Sequence, residues 1–288
     1  NYRGGTMEKL GYGWNVLKEK YPKLIYAAVS GFGQTGPYSH RPAYDMVAQA
    51  MGGIMSLTGH PGSPPTRVGS SMGDLTAGLF TTIGIATALY DRTKTGAGQM
   101  VDVSMLDCQV AILENAIARY VATGEVPGPI GSRHPSIAPF AAFATKDGHI
   151  VIAVGTDKLF AKMADVLGCA KIASDARYAT NPLRMQHWEE LHGDMEKALA
   201  AKTSHEWLAL LEEAGVPCAP LNNVADVMED PQIAFRNMIV TADDPEIGPL
   251  RMQGNPIKLS GYEDPKTRKP APDLDGDREK ILRELGLA

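Results

Sequence analysis

Apolar residues along this chain fall into two kinds of run. Short uninterrupted runs predict buried strands at residues 24–30 (LIYAAVS), 100–103 and 149–156 (HIVIAVGT). Longer runs with helical spacing predict helices at 44–56, where apolar positions alternate with small residues, and at 75–91 and 106–122. The 75–91 segment is apolar almost all round, a profile that predicts a helix buried on every side. Pro127, Pro129, Pro135 and Pro139 then crowd a short span that marks a domain boundary. Beyond it, amphipathic patterns predict helices at 157–167, 187–201 and 204–214. Ser204 ahead of Glu206 reads as a start signal, and Gly168 and Gly215 read as stops. Strand-like sequence follows from Met238, then a Pro-rich tail, then a last helix at 277–285. Strands alternating with helices indicate an α/β protein.

Composition narrows the chemistry. The 288 residues are 44% hydrophobic and 21% charged, ordinary for a globular protein of one large domain or two modest ones. A net charge of −5 with no Lys/Arg run argues against a nucleic-acid surface, while leaving room for an anionic cofactor held by backbone amides and a few basic side chains. Cys108, Cys169 and Cys218 are scattered, odd in number and without a C-x-x-C pair, which favours a reducing compartment, so the cytoplasm is expected. The most apolar stretch, 79–90, is too short for a bilayer, and no membrane association is expected. The seven histidines are dispersed, and His187 and His192 miss the i, i+4 spacing of a helical metal site, so no metal is expected. The opening Asn1-Tyr2-Arg3-Gly4-Gly5 carries no initiator Met, which suggests a fragment.

Two segments invite functional readings. Gly31-Phe32-Gly33-Gln34-Thr35-Gly36 matches G-x-G-x-x-G behind a predicted strand. A dinucleotide site needs a helix N-terminus immediately after the glycines, and here Pro37 and a polar loop follow instead. No nicotinamide or flavin is expected, and the segment reads as a glycine loop that lets something approach its backbone. Asp74 stands between a polar loop and the helix predicted from Leu75. It suits a helix N-cap. It equally suits a nucleophile, because helix dipole and free amides favour a carboxylate there, and Gly73, Thr76, Ala77 and Gly78 leave room for an acyl group.

Further segments, NYRGGTMEKLG, LIYAAVSGFGQTGPY, PAYDMVAQAMGG, MGDLTAGLF, KTGAGQMVDVSMLD, RHPSIAPFAAF, AGVPCAPLNNVADVMEDPQ and GNPIKLSG, run in order along nearly the whole chain. In these the sequence resembles the class III (CaiB/BaiF-type) coenzyme A transferases. The resemblance implies that Asp74 is the nucleophile, with coenzyme A and an acyl-CoA as substrates beside a small carboxylic acid. It implies that Asn1, Tyr2 and Arg3 occupy the loop that contacts the CoA nucleotide, and that Lys9 stands where a phosphate-binding base is frequent, the alternative being a solvated helix charge. Arg41, Pro42, Ala43 and Tyr44 are implied to line the CoA cleft, with Tyr44 either near the reacting thioester or a packed aromatic. Backbone N–H groups of the glycine loops, among them Gly31 and Gly33, would steady tetrahedral oxyanions. Arg133, His134 and Ser136 correspond to a loop over the nucleophile. The planar fork of Arg133 suits a dicarboxylate such as succinate, or a plain surface pair.

The implied fold is a Rossmann-like large domain at 1–130, incomplete at its N-terminus, and a small α/β domain at 131–231. Residues 232–288 would return to pack on the large domain, and the chains would form an interlocked homodimer. Gly4 stands where the family usually has Pro, and the family's first strand and a further CoA loop would precede Asn1. Two rival readings stand beside transfer. The α-methylacyl-CoA racemases share the fold but place a His where this chain has Tyr44. A phenol, ionising near pH ~10, is a poor base at neutral pH, which favours transfer. The other rival is an inactive fragment that folds, dimerises and binds nothing productively.

Overall fold

The computed structural model describes residues 1–287. The chain forms two compact units, one from Asn1–Phe143 with Ile152–Ala198, the other from Ala144–Val151 with the residues from Leu199 onward.

The first unit is organised on strand β1 (Tyr26–Ser30) and strand β2 (Met100–Ser104), which pair in parallel with Tyr26 opposite Met100 and Ser30 opposite Ser104. The connection between them carries helix α1 (Asp45–Met51) and helix α2 (Met72–Thr95). Helix α3 (Met105–Ala111) starts directly from the end of β2, capped by the Ser104 hydroxyl, which accepts a hydrogen bond from Asp107 N. Ala48 of α1, Ala77 of α2 and Met105 and Cys108 of α3 make a small buried cluster, on which Val29 and Val103 pack. Mostly small side chains let three helices and two strands approach closely here, and the site lies at this point.

Two expectations change. Helix α2 runs for 24 residues, longer than the predicted segment, and it is not buried on every side. Gly73, Thr76, Ala77 and Ala88 are its buried residues, while Leu75, Leu79, Phe80, Ile83 and Tyr90 are exposed. Its polar residues had been masked by their own backbone: Thr76, Thr81, Thr82 and Thr87 each turn the hydroxyl back to the carbonyl four residues earlier. The single helix expected at 106–122 is two, α3 and Ala116–Thr123, broken where Glu114 takes a φ of 55°.

The rest of the first unit has a denser interior. Helix α4 (Asp157–Val166) buries Phe160, Met163 and Ala164, and helix α5 (Trp188–Leu199) buries Trp188, Leu191, Met195 and Leu199. The buried Arg184 is fully used, donating to the carbonyls of Ala138 and Tyr178 and to Asp157. Asp194 accepts from Lys171 at 2.9 Å and from the Tyr178 hydroxyl at 3.0 Å. The Lys171 ammonium and the phenol hold that carboxylate below its ordinary range, and burial, with the Asp194 carboxylate beside it, pushes the Tyr178 phenol up to about 12.

Strands β3 (Phe140–Ala144), β4 (His149–Ala153) and β5 (Cys218–Pro220) follow in chain order. In the second unit, the helix Ser204–Glu213 starts at the expected residue, on a capping box of Thr203 and Glu206. Trp207 of that helix donates to Leu199 O at 2.7 Å. Gly168 and Gly215 lie just past helix ends with φ of 61° and 69°, as stop signals should. The second unit also holds β6 (Ile239–Asp244), flanked by an antiparallel β7 (Gly248–Gln253) and a parallel β8 (Thr267–Arg268).

Candidate active site

A cleft of about 720 Å³ opens at the carboxyl end of β1. Residues 31–44, after that strand, form turns and bends, and no helix begins before Asp45. Gly31 is fixed by contact: a Cβ there would lie 2.2 Å from the Ala43 Cβ, so only glycine lets the two ends of the loop meet. The closed loop lines the cleft with Gly31 at one end and Arg41, Pro42, Ala43 and Tyr44 at the other. The Arg41 guanidinium lies 4.7 Å from the Tyr38 ring centroid and 5.5 Å from that of Phe32, two rings that themselves meet edge to face. Aromatic faces hold this cation without neutralising it. Asn1, Tyr2 and Arg3 line the cleft as well, so two arginines border the same space, a setting for a polyanionic ligand.

Asp74 enters this cleft from the first turn of α2. It is not the N-cap. Ser71 holds that position and its side chain makes no capping bond. The cap is supplied from a distance by buried Asp45, which accepts from Gly73 N at 2.8 Å, one residue before Asp74. A Cβ on Gly73 would crowd the same carboxylate oxygen at 3.1 Å, so glycine eases the contact. Asp45 also accepts from Gln49 at 2.9 Å, and Gln49 accepts from Val68 N at 3.0 Å. Gln109 donates to Met72 O and to the Thr76 hydroxyl. This buried polar network fixes the first turn of α2 and, with it, the Asp74 backbone. Among the described residues the Asp74 carboxylate itself has no hydrogen-bond or ion-pair partner, and it is exposed to the cleft. A carboxylate held by a fixed backbone and engaged by no neighbour is chemically able to attack an acyl carbon.

The structure thus brings together Asp74, Asn1, Tyr2, Arg3, Gly31 and the 41–44 segment. Tyr44 is 83% exposed, so it is not a packed aromatic. Other predicted residues lie elsewhere. Lys9 ends the short helix Thr6–Lys9, exposed and off the cleft lining. Gly33 lies at a turn with φ of 85°, next to Gln34 N, which donates to Asp102 at 3.0 Å. Arg133, His134 and Ser136 form a group of their own. Arg133 lies 5.7 Å from the Trp188 ring, His134 stacks on Phe140, and His134 Nδ1 accepts from Ser136 N.

Two positions that shape the cleft escaped the sequence reading. Asp45 was part of a quoted segment but gave no local signal, because its partner Gly73 lies far along the chain. Ser30 lines the cleft, and its buried hydroxyl has no partner. Leaving such a group unpaired costs roughly 1–3 kcal/mol.

Residues 1–278 match the model of CoA-transferase family III, and the chain belongs to that family. It is 46% identical over 286 residues to the acetyl-CoA:oxalate CoA-transferase of Acetobacter aceti, a match covering 99% of this chain and 72% of that protein. It is 34% identical over 285 residues to the succinyl-CoA:glutarate CoA-transferase of Mus musculus, covering 99% of this chain and 65% of that protein, so the chain spans less than two thirds of that relative. Among solved structures, a CaiB/BaiF family protein from Brucella suis superposes with a TM-score of 0.83 at 37% identity, covering 99% of this chain and 74% of that one. The mixed α/β fold with small sheets is the class III CoA-transferase fold.

Proposed function

We propose that this chain transfers coenzyme A from a dicarboxylic acyl-CoA, succinyl-CoA, to a carboxylic acid through its Asp74 carboxylate. The observation that carries the reading is the unengaged Asp74 in a cleft shared with Arg3 and Arg41. The two guanidinium groups suit the phosphates of coenzyme A, and the relatives named as succinyl-CoA transferases support the donor.

The steps need no proton carrier, because the nucleophile is already a carboxylate. Asp74 attacks the thioester carbon, the C–S bond breaks, and CoA leaves as the thiolate with a mixed anhydride behind it. The thiolate attacks the aspartyl carbonyl, which frees the donor acid and leaves an aspartyl-CoA thioester. The acceptor carboxylate attacks that thioester and expels the thiolate again. The thiolate then takes the acceptor's acyl carbon and restores Asp74. The same reading has the protein act as a homodimer in the cytoplasm, and the exposed apolar face of α2 supports the dimer.

Hydroxylamine turns an activated carboxylate into a hydroxamate. Incubation with succinyl-CoA and hydroxylamine is expected to shift the mass of the Asp74 peptide, and Asp74→Asn should abolish the shift. An unmodified Asp74 peptide in protein that still binds CoA would overturn the covalent route.

A further inference from the structure

Ser30 and Ser104 are opposite one another at the carboxyl ends of the two parallel strands. Ser104 is satisfied: its hydroxyl accepts from Asp107 N as the cap of α3 and donates to Gly31 O. Ser30 has no helix to cap, because β1 runs into the glycine loop instead. It is 9% exposed, its Oγ has no partner, and it lines the cleft that holds Asp74. An alanine there would remove an unpaired buried polar group at the loss of no hydrogen bond, so hydrogen bonding within the fold gives no reason for the hydroxyl. A ligand in the cleft does.

We propose that the Ser30 hydroxyl donates a hydrogen bond to the carbonyl oxygen of the thioester attacked by Asp74, as a catalytic residue of the acyl-transfer steps; this rests on the function proposed above. When the Asp74 oxygen bonds to the acyl carbon, the carbonyl electron pair moves onto that oxygen, and Ser30 stabilises the charge without giving up its proton. When the carbonyl re-forms, the C–S bond breaks and the thiolate carries the pair away. A donor already in place and dry is worth more to the charged transition state than to the neutral thioester, so its effect falls on rate rather than on binding.

The test is single-turnover release of CoA from succinyl-CoA, measured beside thermal unfolding of the ligand-free protein. Ser30→Ala is expected to slow release about tenfold to a hundredfold. Its affinity for free CoA should stay within about twofold, and its unfolding midpoint should equal or exceed that of the wild type. Ser30→Thr, which keeps the hydroxyl, should recover most of the rate. Release by Ser30→Ala at the wild-type rate would overturn the assignment alone. A lower unfolding midpoint would overturn it too, by making the hydroxyl structural. Wild-type protein that releases no CoA would instead sink the transferase reading and this inference with it.

Discussion

Helices α2 and α5 belong to the same unit and are both rich in apolar residues, yet they bury them differently. Helix α5 turns Trp188, Leu191, Met195 and Leu199 inward and, Asp194 apart, leaves its charges outside. Helix α2 turns inward mainly small residues, Gly73, Thr76, Ala77 and Ala88, and leaves Leu79 at 65% and Ile83 at 60% exposure. At Gly84 a Cβ would stand 2.6 Å from Val101, so this inner face is smooth enough to lie directly against β2. The apolar stripe of α5 is packing. The small-residue stripe of α2 is positioning, because it brings the first turn, and Asp74 with it, up against α1 and the end of β1. Apolar content therefore measures burial in one helix and not in the other.

The largest test of this contrast is Leu191→Ala. Leu191 is fully buried, and its truncation should cost about 2–5 kcal/mol of unfolding free energy, measured by urea titration. A cost below about 1 kcal/mol would mean that α5 is no better packed than α2. Acid provides a second test in the α5 region. Lys171 and Tyr178 hold the Asp194 carboxylate below its ordinary range in the folded chain, so the stability it contributes is present above the ordinary carboxylate value and lost as pH falls below about 4. Wild-type protein should lose unfolding midpoint from pH 5 to pH 3 more steeply than Asp194→Asn. Parallel curves would remove that carboxylate from the account. The smallest effect belongs to α2: Leu79→Ser with Ile83→Ser should change the unfolding free energy of the monomeric chain by less than about 0.5 kcal/mol. A larger loss would show that this face is covered within the single chain.

Much of the fold was legible because it is written locally. The runs around Tyr26–Ser30 and Met100–Ser104 admit few readings besides strand, and Gly168 and Gly215 end helices where a left-handed residue is needed. Asp74 was singled out by its small neighbours and the ordered segments around it, and the structure sets it in the cleft. What stayed hidden depends on partners far apart in sequence. The start of α2 at Met72 rests on Asp45, 28 residues earlier. The break at Glu114 has no Gly or Pro to announce it. The distinction between Ser30 and Ser104 is invisible in sequence, where both are serines ending apolar strands. Only the helix that follows one of them separates a satisfied hydroxyl from an idle one. The Arg133 fork was read from its chemistry, but its ring contact with Trp188 is a matter of tertiary packing.

The parallel pairing of β1 with β2 also sets an order of events during synthesis. Among the described residues Tyr26 pairs with Met100, and between them lie the glycine loop, the Asp45 carboxylate and the helix that carries Asp74. At translation speeds of 5–20 residues per second, roughly 4–15 s separate the two strands. For most of that interval β1 waits unpaired, and α2, complete only at Thr95, then has α1 but not yet β2 or α3 to pack on. The last part of the Asp74 setting to be made is therefore α3, which follows β2 directly and brings Met105 to the cleft and Gln109 to the first turn of α2.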